Sequence, residues 1–243
     1  MIALGLLGFT IVLWVGLTVV RRRIPGAFRR IEAFDRLNRS VGLAVENGTR
    51  LHISLGRGSL FTTRGASALA GLAMLRQLTQ RTSLSDRPPI VTSGNASLAV
   101  LSQDSLQSGY RAAGAEEQYR FSTGRLTGLT PFSYAAGTIP IMEDEGVSAN
   151  VFIGDFGAES ALLADAAERG NSTLIGASDN LAAQAVFYAT SQEPLVAEEL
   201  YAAGAYIGAG AAHEASLTVQ DILRWMVIAA IVGGSLLKFV GVI

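Results

Sequence analysis

Leu51-His52-Ile53-Ser54-Leu55-Gly56-Arg57-Gly58-Ser59 is a short apolar run closed by a glycine-bearing turn. The same arrangement, followed by a helical stretch, occurs five times along the chain. The runs are Leu51–Leu55, Pro89–Ser93, Asn150–Gly154, Ser172–Ala177 and Ala205–Ala209. The stretches after them are Ala66–Thr82, Ser97–Ala113, Ala158–Arg169, Asn180–Thr190 and Ala211 onward. Continuous apolar runs suit strands covered on both faces, and strands alternating with helices imply right-handed βαβ units around a parallel sheet. The fold class is therefore α/β: a Rossmann-like three-layer domain with a mostly parallel sheet of about five strands. Residues 115–148 do not fit the repeat and read as an insertion holding a loop and one or two short helices. Thr130-Pro131 marks a helix start there, and Pro140 is expected to break or kink that helix.

Outward from this core, residues 26–46 read as an amphipathic helix, with Phe28, Ile31, Phe34, Leu37, Val41 and Val45 on one stripe and Asn47-Gly48 as its stop. A hairpin about Asn47-Gly48 is the rival reading. Arg29, Arg30, Arg36 and Arg39 suit this helix to an anionic lipid surface; packing of its apolar face on the domain is the alternative.

Both ends of the chain read as membrane segments. Ile2 to Val20 holds 19 residues without a charge, roughly 28 Å as a helix, close to the hydrocarbon thickness of a bilayer. Its positive charge lies beyond it, at Arg21, Arg22, Arg23, Arg29 and Arg30, so the N-terminus is expected outside and residue 21 onward in the cytoplasm. The second segment runs from about Ile222 to Ile243, with Arg224 and Trp225 at its cytoplasmic edge. Lys238, the only lysine, is expected to snorkel to the outer interface; facing a protein partner or a water-filled gap is the alternative. Gly5 and Gly8, Ala229 with Gly233, and Ala230 with Gly234 are small residues suited to close helix contact in lipid. Ala211 to Val232 has no Gly or Pro, so one helix is expected to run from the last strand into the membrane. The domain organisation is then a transmembrane helix over 1–22, a juxtamembrane helix over 23–48, a cytoplasmic α/β domain over 49–212, and a stalk continuing into a second span over 213–243.

The absence of Cys excludes disulfides, thiolate metal sites and thiol chemistry. A net charge of −1 gives no field that draws nucleic acid. Gly56-Arg57-Gly58-Ser59 lacks the lysine of a phosphate-binding Walker loop, no G-x-S-x-G nucleophile elbow occurs, and His52 and His213 lack metal-ligand spacing. His52 reads as a satisfied core residue, His213 as a cap or surface residue, and Glu143-Asp144-Glu145 as a solvated helix end. No catalytic residue, metal or cofactor is assigned. The turns after the strands are the place for a ligand: Gly56, Arg57, Gly58 and Ser59; Ser93, Gly94 and Asn95; Asp155; Ser178, Asp179 and Asn180. In a parallel sheet they gather at the carboxyl ends of the strands, where glycines allow close backbone approach and helix N–H groups favour anions. Ordinary N-capping explains the same residues.

Charge is segregated along the chain. Residues 21–125 hold 16 Arg against 7 acidic residues, and residues 126–221 hold 1 Arg against 13. Opposite flanks of identical subunits would attract head to tail; neutralisation within one subunit is the alternative.

Several longer stretches carry a resemblance: His52–Gly58, Ser85-Asp86-Arg87-Pro88-Pro89, Arg125–Tyr134, Asp144–Asn150, and Gln192-Glu193-Pro194 through His213–Ser216 to Gln220-Asp221. Over roughly residues 35–230 they resemble an uncharacterised bacterial membrane-protein family, a domain of unknown function typical of green non-sulfur bacteria. The resemblance implies a prokaryotic membrane location and brings no activity. The expectation is an inner-membrane protein with a lipid-bilayer partner and a cytoplasmic domain, self-assembling as a scaffolding homo-oligomer. The alternative is a membrane-anchored sensor of an anionic small molecule, such as a nucleotide. A hydrolase or transferase using Asp155 or Asp179 as base is the least supported reading, because no partner nucleophile is evident.

Overall fold

The fold is described from a computed structural model, for all residues except Met1, Pro25, Thr63, Arg64, Leu84, Glu193, Ala197, Val240, Val242 and Ile243. It divides into two units, Arg30–Ile207 and the pair Met1–Arg29 with Gly208–Ile243.

In the first unit, successive residues of β1 (Arg50–Gly56) point to opposite faces and are buried on both: Leu51, Ile53 and Leu55 on one, His52 and Ser54 on the other. A strand buried on both faces needs two covering layers. The sheet comprises β1, β2 (Ile90–Ser93), β3 (Gly124–Leu126), β4 (Val147–Asp155) and β5 (Thr173–Ser178), all parallel, in the order β3-β2-β1-β4-β5. Strand order reverses between β1 and β4, which makes their carboxyl ends the switch point. One core packs α3 (Gly65–Thr82) and α4 (Ala96–Ala112) on the face of Ile53, Leu55 and Val151, through Met74, Leu75, Leu78, Leu98 and Leu106. The other packs α5 (Pro131–Asp144), α6 (Glu159–Arg169) and α7 (Leu181–Thr190) on the opposite face, around Tyr134, Phe152, Phe156, Leu163 and Phe187.

Four of the five expected strands are present, and the fifth is not. Residues 205–209 are the end of α8 (Glu199–Tyr206) and the turn after it. Residues 205–209 hold the strand formers Tyr206 and Ile207, but they follow Ala202-Ala203-Gly204-Ala205, and alanine is the strongest helix former, so α8 carries on to Tyr206. The fifth strand is β3, inside the stretch read as an insertion. Its three residues, Gly124-Arg125-Leu126, carry no apolar run because none of them is buried. Pro140 does not break α5, which runs through it. The helix starts as expected: the Thr130 side chain accepts from the Ser133 amide, the Ser133 side chain accepts from the Thr130 amide, and Pro131 stands at the first helical position.

The amphipathic helix is α2 (Glu32–Glu46), shorter than residues 26–46 and not a hairpin. Its apolar face, with Phe34, Leu37 and Val41, is buried in the first core, and Phe34 stacks on Tyr206 at 4.8 Å. The helix therefore packs within the unit Arg30–Ile207, and its outer face, with Arg39 and Leu43, is open.

The second unit is α1 (Ile2–Arg21) with α9 (Ala211–Phe239). Both are long and apolar enough to cross a membrane, and neither apolar stretch is buried. α9 is unbroken over 29 residues, as its lack of Gly and Pro up to Val232 predicts, but it comes after α8 and not after a strand. The Trp14 indole donates to the Ala212 carbonyl (3.1 Å) and the Arg21 guanidinium to Thr218 Oγ1 (2.9 Å). These partners are offset by 198 and 197 residues, so the helices run in one direction where they touch. The contact uses the polar first turns of α9. A methyl group built on Gly5, Gly8, Gly233 or Gly234 would meet no atom, and Ala229 and Ala230 are exposed. The small-residue pairs thus lie outside this contact.

Candidate functional site

At the switch point the ends of β1 and β4 are pressed together. Gly56 has φ +70°, and a Cβ there would lie 2.3 Å from the Asp155 carbonyl oxygen. Gly154 has φ +143°, and its Cβ would lie 2.2 Å from the Leu55 oxygen. Both glycines serve backbone-to-backbone approach. Gly58 packs on Asp155 in the same way, with 3.1 Å to its Cβ. The turn amides already have acceptors: Arg57 N–H donates to Asp155 O (2.9 Å) and Gly94 N–H to Gly56 O (2.8 Å). Gly56 N–H donates to the Tyr134 hydroxyl (3.2 Å).

Gly94 leaves the space through which Arg57 passes; a Cβ there would meet Arg57 Cγ at 2.3 Å and Tyr134 Cδ2 at 3.0 Å. Arg57 Nε then donates to Glu159 Oε1 at 2.9 Å, with the Glu159 side chain 1% exposed and Arg57 27%. Burial raises the Glu159 carboxyl, but the hydrogen bond from Arg57 and the amides of Gly157 and Glu159 outweigh it and bring the group below its ordinary value. The start of α6 and Arg57 are thus occupied by a carboxylate of the chain itself.

The remaining turn residues serve the backbone. Asn95 caps α4, accepting from Ser97 N–H (3.0 Å) and Leu98 N–H (3.3 Å), and Asn180 caps α7, accepting from Ala182 N–H (3.0 Å). Ser178 Oγ accepts from the Phe156 and Asn180 amides, each at 3.3 Å. Ser59 Oγ accepts from Phe61 N–H (3.3 Å), and Ser93 Oγ donates to Arg125 O (3.4 Å). Asp179 hydrogen-bonds Tyr201, whose hydroxyl is raised by burial and then by Asp179 and Asp155. Among the described residues, the charged groups drawn together at the crevice are Arg57 and the carboxylates of Asp155, Glu159 and Asp179. Tyr134, Glu159 and Tyr201 were not legible as site residues. Only Glu159 left a signal, as an acidic residue opening a helix.

Beneath the crevice a buried polar chain crosses the sheet. Ser172 Oγ donates to Ala167 O, Asn150 Nδ2 donates to Ser172 Oγ (2.7 Å), and His52 Nδ1 shares a 2.7 Å hydrogen bond with Asn150 Oδ1. The amide oxygen can only accept, so Nδ1 carries the proton and Nε2 accepts from Thr92 Oγ1 at 2.9 Å. Tyr134 closes the chain against Ser54 (2.5 Å), its hydroxyl raised by burial. Burial pushes His52 down to about 4, although the Asn150 bond raises it; Arg125 lowers it and Glu145 raises it by charge. His52 is the satisfied core histidine expected from the sequence, neutral and sealed from solvent. Among the described residues, no group of three or more His, Asp or Glu is placed to hold a metal ion.

Comparison with known proteins finds one family, described as Domain of unknown function (DUF6754), matching residues 1–243. No curated protein and no solved structure matches the chain.

Proposed function

The chain belongs to that family of unknown function, and from this premise we propose that it is a membrane-anchored scaffold. Its Rossmann-like domain self-assembles into a homo-oligomer and performs no catalysis. One observation carries the reading: Arg57, the Gly56 and Gly94 amides and the capped amides of α4 and α7 are bound to the chain's own groups, while the apolar stretches of α1 and α9 have no cover. A sensor of an anionic small molecule would require Arg57 to leave Glu159 and the capped amides to be freed.

The arginines after α1 favour the cytoplasmic face for the domain. Of the 16 arginines in residues 21–125, seven fall within residues 21–39, beside two acidic residues. The basic excess thus marks the segment that would lie next to anionic headgroups more than a sheet flank. Arg50 and Arg125 both meet Glu145, and Arg57 meets Glu159, so part of the charge split is neutralised within one chain. That weakens head-to-tail attraction as the driving force and leaves apolar contact as the stronger one. Two helices crossing one bilayer from a domain on one side must run antiparallel. The same-direction contacts of Trp14 and Arg21 therefore count against the reading as they stand, and have to open on insertion.

Native mass measurement of the detergent-solubilised chain tests self-assembly. A multiple of 25.5 kDa is expected; a monomer at both low and high salt would contradict it.

A further inference from the structure

α2 spends its apolar face on the first core, so that face is not available to sink into a bilayer surface. Its open side holds a cleft of about 200 Å³ lined by Arg30, Glu32, Asp35, Arg36 and Arg39. Positions 32, 35, 36 and 39 are three and four apart, which puts them on one face of the helix. Asp35 is taken by Arg30 at 2.5 Å. The Arg36 guanidinium donates to Gln192 Oε1, which restrains it, and Arg39 is exposed.

Charge and position name the occupant. The cleft holds three arginines against two carboxylates. Two other clefts of the α/β unit have the opposite balance: one sets Asp86 and Glu117 against Arg120, and one, at residues 114–118, presents Glu116 and Glu117. Elsewhere in the unit Arg50 and Arg125 meet Glu145, Arg57 meets Glu159, and Arg111 meets Glu116. An anion is therefore drawn to the α2 cleft before the other two. α1 ends at Arg21, nine residues before Arg30, and nine extended residues reach at most about 32 Å. With α1 in a bilayer, the cleft stays within that distance of a headgroup layer.

We propose that the α2 cleft binds the phosphate of an anionic phospholipid headgroup, with Arg36 and Arg39 as its donors, and so clamps the α/β unit to the bilayer surface. The proposal rests on the membrane-anchor reading above and names the lipid class. A guanidinium presents two parallel N–H groups to a phosphate. A zwitterionic headgroup carries its own cation beside the phosphate and gains less. The clamp puts no side chain into the acyl layer, so it is electrostatic and weakens with salt.

Native mass spectra of the full-length, detergent-solubilised chain, titrated with phosphatidylglycerol or phosphatidylcholine, test it. Each arginine near an anionic surface is worth about fivefold, so two should favour phosphatidylglycerol by about 25-fold. Arg36→Gln with Arg39→Gln should remove this preference and leave phosphatidylcholine retention unchanged. Arg39→Gln alone, at an exposed side chain, should lower the preference about fivefold. Arg76→Gln, exposed on α3, should change neither lipid. Millimolar inorganic phosphate should leave phosphatidylglycerol bound; displacement would make the occupant a soluble phosphate and overturn the clamp. If Arg22→Gln with Arg23→Gln removes the preference and the α2 pair does not, the headgroup is held after α1 and the cleft is wrong. Equal retention of the two lipids by an unaltered chain that resists alkaline carbonate extraction also sinks the cleft but keeps the anchor. A chain that carbonate releases from membranes loses both.

Discussion

Alanine at Gly154 should lower folding stability by about 4 kcal/mol, the largest loss expected of any single methyl group here. Two costs combine. The φ of +143° lies where L side chains rarely go, and the added Cβ would stand 2.2 Å from the backbone oxygen of Leu55. That oxygen cannot retreat, because β1 is hydrogen-bonded between β2 and β4 and its end is fixed by the pairing of Gly56 with Asp155. Gly48 supplies the comparison. Its φ of +61° is also left-handed, but a Cβ there would meet nothing, so Gly48→Ala should cost only about 1 kcal/mol. Thermal melts of the two variants should differ by several degrees. Equal losses would mean that the close approach of β1 and β4 is not what Gly154 serves.

Acid should destabilise the domain through His52. Its imidazole takes a proton near pH 6.5 when the chain is unfolded, but only near 4 in the fold, where burial outweighs the hydrogen bond to Asn150. The unfolded chain therefore binds more protons between these values. Stability is fully present above pH 6.5, falls as the pH drops through that window, and is lost by about 3 kcal/mol at its lower end. His52→Gln keeps a polar side chain in the network and removes the titration. Urea midpoints of both proteins at several pH values between 7 and 4 isolate the effect, since the carboxylates are common to both. The unaltered chain should fall more steeply; parallel pH profiles would show that His52 is not buried neutral.

The sheet was legible where its strands are covered on both faces. Leu51–Leu55, Asn150–Gly154 and Leu174–Ala177 are buried on both faces, and burial on both faces writes a continuous apolar run. β3 wrote none, because none of its three residues is buried, and its Arg125 is free to reach Glu145. Alanine-rich residues 202–205 look apolar for a different reason, as the packed side of a short helix. Pro140 does not end α5, and Tyr134, Ile141 and Met142 on either side of it are buried. The candidate site was legible as a place and not as a function. Its glycines and Asn95, Asn180 and Ser178 are where the pattern put them, but a glycine that admits a phosphate and a glycine that admits a neighbouring strand read alike in sequence. The meeting of Glu159 with Arg57, 102 residues away, is a product of the β1–β4 pairing that no local pattern records.

Alkaline carbonate extraction of membranes from cells making the full-length chain tests the central claim most directly. If Ile2–Arg21 and the apolar part of Ala211–Phe239 are bilayer spans, the protein stays in the membrane pellet after peripheral proteins have been stripped. Release into the supernatant would contradict the anchoring of the domain, and with it the account of the molecule as a membrane scaffold.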